Sequence, residues 1–389
     1  MRGTAARRIL VYAQHLSGVG HYVRTFEIAR ALAPHHQVHW IEGGRPVPHR
    51  PCPDLHTVKL PRICRDPAGG LVGVEAMRPI ADLLGQRAAR LLAAIRRIRP
   101  EIFLVEYFPF SKWELADELL PAIEAVHAGG GRVACSLRDV VRKTRFETVE
   151  ASAYTARVTD LLNRHFDAVL VHADPALVRL DEHFPAVGDI RIPVHYTGLV
   201  SEKPVPEPYV EAEIDQVVDG RSYVLASAGG GAGGRRLIES VLRAWRDPDI
   251  AGGRLLVVLS GLDWPQDPLL ELQRQAGTER IVIRSFSAGL LHWLARADAS
   301  ISQCGYNTAA NLLETRARAV VSPDPRMSDQ GVRAKRLAEL GLVELLDPAE
   351  VGATRIADVV LRVLAKPSPV HPVALDGAER TRRWIEAWA

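Results

Sequence analysis

Short, wholly apolar runs alternate along this chain with longer segments whose apolar residues recur every three or four positions. The first run, residues 8–13, predicts a strand buried on both faces, as a parallel sheet requires. It gives way to Ser17-Gly18-Val19-Gly20 and then to a helix over 21–33, with Val23, Phe26, Ile28, Ala29 and Leu32 apolar and Pro34 as its stop. The same alternation predicts strands at 38–41, 102–105, 132–137 and 168–171, with helices at 84–98, 114–127 and 147–165. Residues 45–70, rich in Pro and Arg, read as a long irregular excursion. Pro193, Pro204, Pro206 and Pro208 mark a linker near 197–209. Beyond it come strands at 223–226, 255–259, 281–283, 299–301 and 319–321. Their helices fall at 235–246, 288–296, after Gly305, at 329–340 and at 351–365, and a last amphipathic helix starts near 376.

Such alternation implies right-handed crossovers and parallel sheets covered on both faces. The expected fold class is therefore α/β, with doubly wound parallel-sheet domains at 1–200 and 209–375 and a C-terminal helix, 376–389, able to pack back on the first. Ligands in these sheets sit beyond the carboxyl ends of the strands, so one deep cleft between two facing domains is expected.

Composition narrows the class. With 47% hydrophobic and 24% charged residues the chain is globular, and no apolar run approaches the ~20 residues of a membrane span. The basic start, 1–8, leads into an apolar run at 9–12 that is too short for a signal peptide, and the cytoplasm is the expected location. Four scattered cysteines give no metal or disulfide spacing. The net charge of +3 is uneven: residues 1–200 hold 26 Lys/Arg against 21 Asp/Glu, leaving 23 against 25 for the rest. That asymmetry is too small to argue for nucleic acid.

Two constellations carry candidate chemistry. Residues 229–234 read Gly-Gly-Gly-Ala-Gly-Gly between a strand and a helix, where bare backbone N–H groups and a helix N-terminus suit a diphosphate. Gly229, Gly231 and Gly234 also satisfy GxGxxG, with Asp263 placed as a ribose acid would be, so an NAD-dependent oxidoreductase is a rival reading. The second constellation is Cys304-Gly305-Tyr306-Asn307-Thr308, followed by Asp329-Gln330 at another helix start. Asn307 and Thr308 would lie near a phosphate, and Asp329 and Gln330 suit a polyol's hydroxyls; capping and helix-dipole roles explain each of them singly.

Ser17-Gly18-Val19-Gly20-His21, the 229–234 loop with Arg235, Phe286, Cys304-Gly305-Tyr306-Asn307-Thr308 and Asp329-Gln330 resemble GT-B glycosyltransferases. The branch that looks nearest is that of the peptidoglycan GlcNAc transferase acting on a lipid-linked muramyl pentapeptide. Glu106-Tyr107-Phe108-Pro109-Phe110 and Leu137-Arg138-Asp139 are similar to a bacterial group of predicted glycosyltransferases. The resemblance implies two Rossmann-like domains and a nucleotide-sugar donor as co-substrate, most simply a UDP-sugar such as UDP-GlcNAc. The acceptor would be a small molecule or a lipid-linked hydroxyl. It implies donor contacts at Gly18, Gly20, Gly229, Gly230, Gly231, Gly233, Gly234, Arg235, Phe286, Gly305, Asn307, Thr308, Asp329 and Gln330. Where the family carries a ribose-gripping Glu this chain has Asn311, with Glu314 one turn later, and the usual Gly-x-Pro is replaced around Arg316-Ala317-Arg318.

Inverting transfer needs a base, and His21 at a helix N-terminus is the first candidate, its charged form disfavoured by the dipole. Glu106 and Asp139, each at the carboxyl end of a strand, are expected either to orient His21 or to act as the base; pairing with Arg138 or Arg142 is the bland alternative. With no carboxylate cluster such as Asp-x-Asp in a donor-site loop, the chain is expected to need no metal, helix ends taking the charge instead. Arg87, Arg90, Arg96, Arg97 and Arg99 suggest an anionic-lipid face at the inner membrane, although such stripes are ordinarily solvated helix sides. A UDP-sugar epimerase on the same fold is the other rival.

Overall fold

The computed structural model describes residues 6–47, 52–75, 78–141, 148–228, 234–247, 250, 252–261, 279–285, 287 and 289–388. They form two compact units, the first made of residues 1–200 and 376–389 and the second of 201–375.

The first unit is built on a seven-stranded parallel sheet: β1 (Arg8–Tyr12), β2 (Gln37–Glu42), β3 (Leu55–Lys59), β6 (Ile102–Glu106), β7 (Arg132–Arg138), β8 (Ala168–His172) and β9 (Val194–Tyr196). Side chains alternate between its faces, which explains why β1 reads as an unbroken apolar run. Leu10 and Tyr12 join a core with the helices Ile80–Ile98 and Ala116–Ala128, whereas Ile9 and Val11 pack with the helices Gly20–Leu32 and Gly377–Ala387. The Arg7 guanidinium fastens that last helix, donating to the Ile385 carbonyl at 3.0 Å.

The 45–70 segment is more ordered than its composition suggests. It carries β3, parallel to β2, and β4 (Ile63–Arg65), which pairs antiparallel with β5 (Leu71–Gly73) just beyond it. β3 is an edge strand with mostly exposed side chains, so it lacks the apolar run that betrays an interior strand. The basic helix stripe needs correcting as well. Arg90, Arg96, Arg97 and Arg99 are exposed, but Arg87 is wholly buried and forks onto Glu118 through two 2.8 Å hydrogen bonds, so it is unavailable to a lipid surface.

The second unit holds a six-stranded parallel sheet in the order β12 (Ile281–Arg284), β11 (Leu255–Leu259), β10 (Tyr223–Ser227), β13 (Ala299–Ser302), β14 (Ala319–Val321) and β15 (Glu344–Leu345). Helices Arg235–Ala244 and Ala353–Leu364 cover one face through Val224, Ala226, Val258 and Ile301. In both sheets the order reverses once. β1 lies between β2 and β6, and β10 lies between β11 and β13. Connections leave such a pair of strands toward opposite faces, opening a crevice at their carboxyl ends.

Candidate functional site

The loop after β1 and the end of β6 meet at the first reversal. Gly18, at φ +65°, has the left-handed backbone that a side chain resists, and it turns the chain so that Gly20 can open the next helix. His21 follows on the first turn, with 23% of its side chain exposed, and its Nδ1 lies 2.6 Å from Glu106 Oε1. Glu106 is completely buried and also accepts from the Arg24 guanidinium and the Lys112 ammonium. Arg24 reaches it from the same helix face as His21, one turn on. Tyr107 and Lys112 both have positive φ and bracket the turn that returns the ammonium to the carboxylate. The Tyr107 ring stands edge-on to the imidazole at 5.3 Å.

Burial opposes the Glu106 charge, yet His21, Lys112 and Arg24 together hold its carboxyl well below the usual range. An ionised carboxylate only accepts, so His21 Nδ1–H donates and Nε2 is left with the lone pair. Burial pushes the imidazole down to about 4; Glu106 raises it, and Lys112 and Arg138 lower it further. His21 is therefore neutral near pH 7, and burial is the largest cause. Asp139 lies one strand further along, after β7, as a wholly buried carboxyl whose Oδ1 accepts the Val140 N–H at 2.8 Å. Glu106, not Asp139, occupies the orienting position at His21 Nδ1.

At the second reversal, β10 ends at Ser227 and the helix Arg235–Ala244 begins at Gly234. Gly229, Gly230, Gly231 and Gly233, together with Asp263 and Phe286, lie outside the described residues. Gly234 closes the loop tightly: a Cβ there would sit 2.5 Å from the Ala228 Cβ and 2.7 Å from its Cα. Arg235 is exposed and pairs with Glu239 at 2.7 Å. Across the reversal, Gly305 caps the helix Tyr306–Thr315, where a Cβ would meet only the Thr308 hydroxyl at 3.8 Å, and Asn307 and Thr308 stand half-buried on its first turn.

The other expected donor residues hold up this loop. Gln330 Oε1 accepts from the backbone N–H of Cys304 at 3.2 Å and of Asp324 at 3.0 Å. Asp329 is buried beside Arg333, whose Nη1 donates to the Cys304 carbonyl at 2.6 Å. Asn311 is buried inside its helix, and Glu314 is paired with Lys203 at 2.7 Å. Arg24, Lys112 and Arg333 are absent from the sequence reading. Arg24 carried one readable signal, an arginine one helical turn after His21 and so on the same helix face.

The family model described as the glycosyltransferase family 28 C-terminal domain matches residues 227–376. No curated protein matches. Solved structures with similar architecture include glycosyltransferase VinC in complex with dTDP, 17% identical over 98% of this chain and 95% of its own, TM-score 0.58. Medicago truncatula UGT71G1 complexed with UDP-glucose is 14% identical over 99% and 94%, TM-score 0.59. Acinetobacter baumannii MurG is 13% identical over 98% and 99%, TM-score 0.52. The chain has the GT-B fold. The GT-B resemblance seen in the glycine and Cys304–Thr308 motifs is thereby supported, and the family 28 match spans both motifs of the second unit.

Proposed function

We propose that this GT-B protein is an inverting, metal-independent glycosyltransferase that moves a sugar from a nucleoside diphosphate sugar to a hydroxyl acceptor. The observation that carries the reading is the neutral imidazole of His21, with Nδ1–H held by Glu106 and Nε2 left as a base. In the reaction the acceptor oxygen would bond to the anomeric carbon from the face opposite the diphosphate while Nε2 takes the hydroxyl proton. The bond from carbon to the diphosphate oxygen would break with its electron pair leaving on the diphosphate. Backbone N–H groups at Gly234 and at Gly305–Thr308 are suited to receive that charge, since each opens a helix.

A UDP-sugar such as UDP-GlcNAc is the donor favoured here. The UDP-glucose and dTDP complexes of the neighbours support a uracil- or thymine-type nucleotide. A lipid-linked acceptor is one reading beside a small molecule, and the proposed location is the cytoplasm. Among the described residues no helix is long and apolar enough to cross a membrane. The test combines a thermal-shift screen of nucleotide sugars with an assay of free nucleotide release. The stabilising nucleotide sugar should release its diphosphate only when acceptor is added, which an epimerase would not do. His21→Ala should abolish release and leave nucleotide affinity within about twofold. Unchanged turnover in that variant would remove His21 as the base.

A further inference from the structure

The carboxylate behind His21 has one more cation than a simple His–Glu pair needs. Arg24 alone would neutralise Glu106, and Arg24 comes from the same helix as the imidazole. Lys112 comes from elsewhere, at the far end of the turn that follows β6, with φ +65° and only 8% of its side chain exposed. Its ammonium takes the second carboxylate oxygen, Oε2, and leaves Oε1 to His21 and Arg24. We propose that Lys112 is a positioning residue whose surplus positive charge, delivered through Glu106, keeps His21 neutral and its proton on Nδ1. The inference rests on His21 being the base of the proposed transfer.

The charge count makes the argument concrete. With His21 neutral, the buried group holds one anion, Glu106, and two cations, Arg24 and Lys112. Protonating His21 would leave three cations against one carboxylate, out of water. Without Lys112 the same step would end with two cations against one. Arg138, at the end of β7, adds a further positive field at the imidazole, and Tyr107 contributes an uncharged ring edge. Farther groups that feel this cluster are His15, lowered by burial and by Lys112, and His172 and Cys135, both wholly buried and uncharged near pH 7. None of these supplies a second anion. The Lys112 ammonium itself is pulled down by burial and held up by Glu106 and, to a smaller extent, by Glu114, while the buried Asp139 carboxyl accepts from the Val140 N–H.

The experiment is an imidazole titration by nuclear magnetic resonance on full-length protein, with the His21 signal assigned by its loss in His21→Asn. In the wild type, His21 should stay neutral in the Nδ1–H tautomer down to a midpoint well below 6.5, the ordinary imidazole value. Lys112→Met should raise that midpoint by about one pH unit or more, because a nearby like charge has been removed. Lys112→Arg should restore it. In nucleotide-release assays the acid limb of kcat/KM should move upward by the same amount in Lys112→Met. A wild-type midpoint at or above 6.5 would overturn the proposal without any variant. So would an unshifted midpoint in folded Lys112→Met or, should that variant not fold, in Lys112→Gln. A shifted midpoint with no nucleotide release from any donor would instead strike at the transferase reading and leave the electrostatic role standing.

Discussion

His21 and His172 sit in the fold as neutral imidazoles for the same reason, loss of water. Burial drives His172 down to about 3, where its two ring nitrogens are already engaged by Ser136 and Thr197 at 2.7 and 2.8 Å. Both folded values lie below the ordinary one, so between pH 6.5 and 4.5 the unfolded chain takes up protons that the folded chain refuses. Stability therefore rises with pH through that window and falls on acidification, by about 2 kcal/mol for each such imidazole across the two units. Urea unfolding of His21→Asn should show a pH dependence flatter than wild type by about that amount. Equal slopes for the two proteins would contradict a His21 held neutral in the fold. Below about pH 4.5 a second loss begins, because Glu106 is held ionised in the fold and its contribution fades only as acid protonates it. His21 and Glu106 were legible in the sequence by their places after a glycine turn and at a strand end. Lys112 was not, since a lone lysine six residues after a glutamate carries no pattern; only the positive-φ turn from Tyr107 to Lys112 brings the two together.

Among the elements, interior strands announced themselves and edge strands did not. β1, β6, β8, β10 and β11 each carry a buried run of four or more apolar residues because helices cover both faces, whereas β3 leaves His56, Thr57 and Lys59 exposed to water and was hidden in a Pro- and Arg-rich stretch. The turn between β10 and its helix is the element on which donor binding should depend most. Its closing glycine has no room for a Cβ against Ala228, and the obstructing atoms include backbone. Gly234→Ala should therefore push the loop open and weaken nucleotide binding about tenfold, an overpacking cost of the usual size. Gly331→Ala is the matching control, for its Cβ meets nothing within 4 Å and a helix favours alanine. Calorimetric titration with UDP measures both. Equal affinities in the two variants would remove the 229–234 loop from the binding site.

Taken as a whole molecule, each unit places its candidate chemistry where its own sheet changes direction: His21 after β1 and Glu106 at the end of β6, Gly234 and Gly305 after β10 and β13. If helix ends receive the departing diphosphate, no divalent ion is needed to neutralise it, and EDTA should leave nucleotide release unchanged. Restoration of lost activity by magnesium or manganese would refute that. The sequence by itself determined the α/β class, most of the strands and the glycine-rich turns, because these follow from local periodicity and from backbone freedom that only glycine has. Tertiary structure alone decided which charges are buried together. Arg87 left the solvated stripe for Glu118, Asp329 turned to Arg333, and Arg24 and Lys112 converged on Glu106. Such groupings depend on strand order and on exclusion of water between residues distant in the chain, and no spacing along a single sequence encodes either.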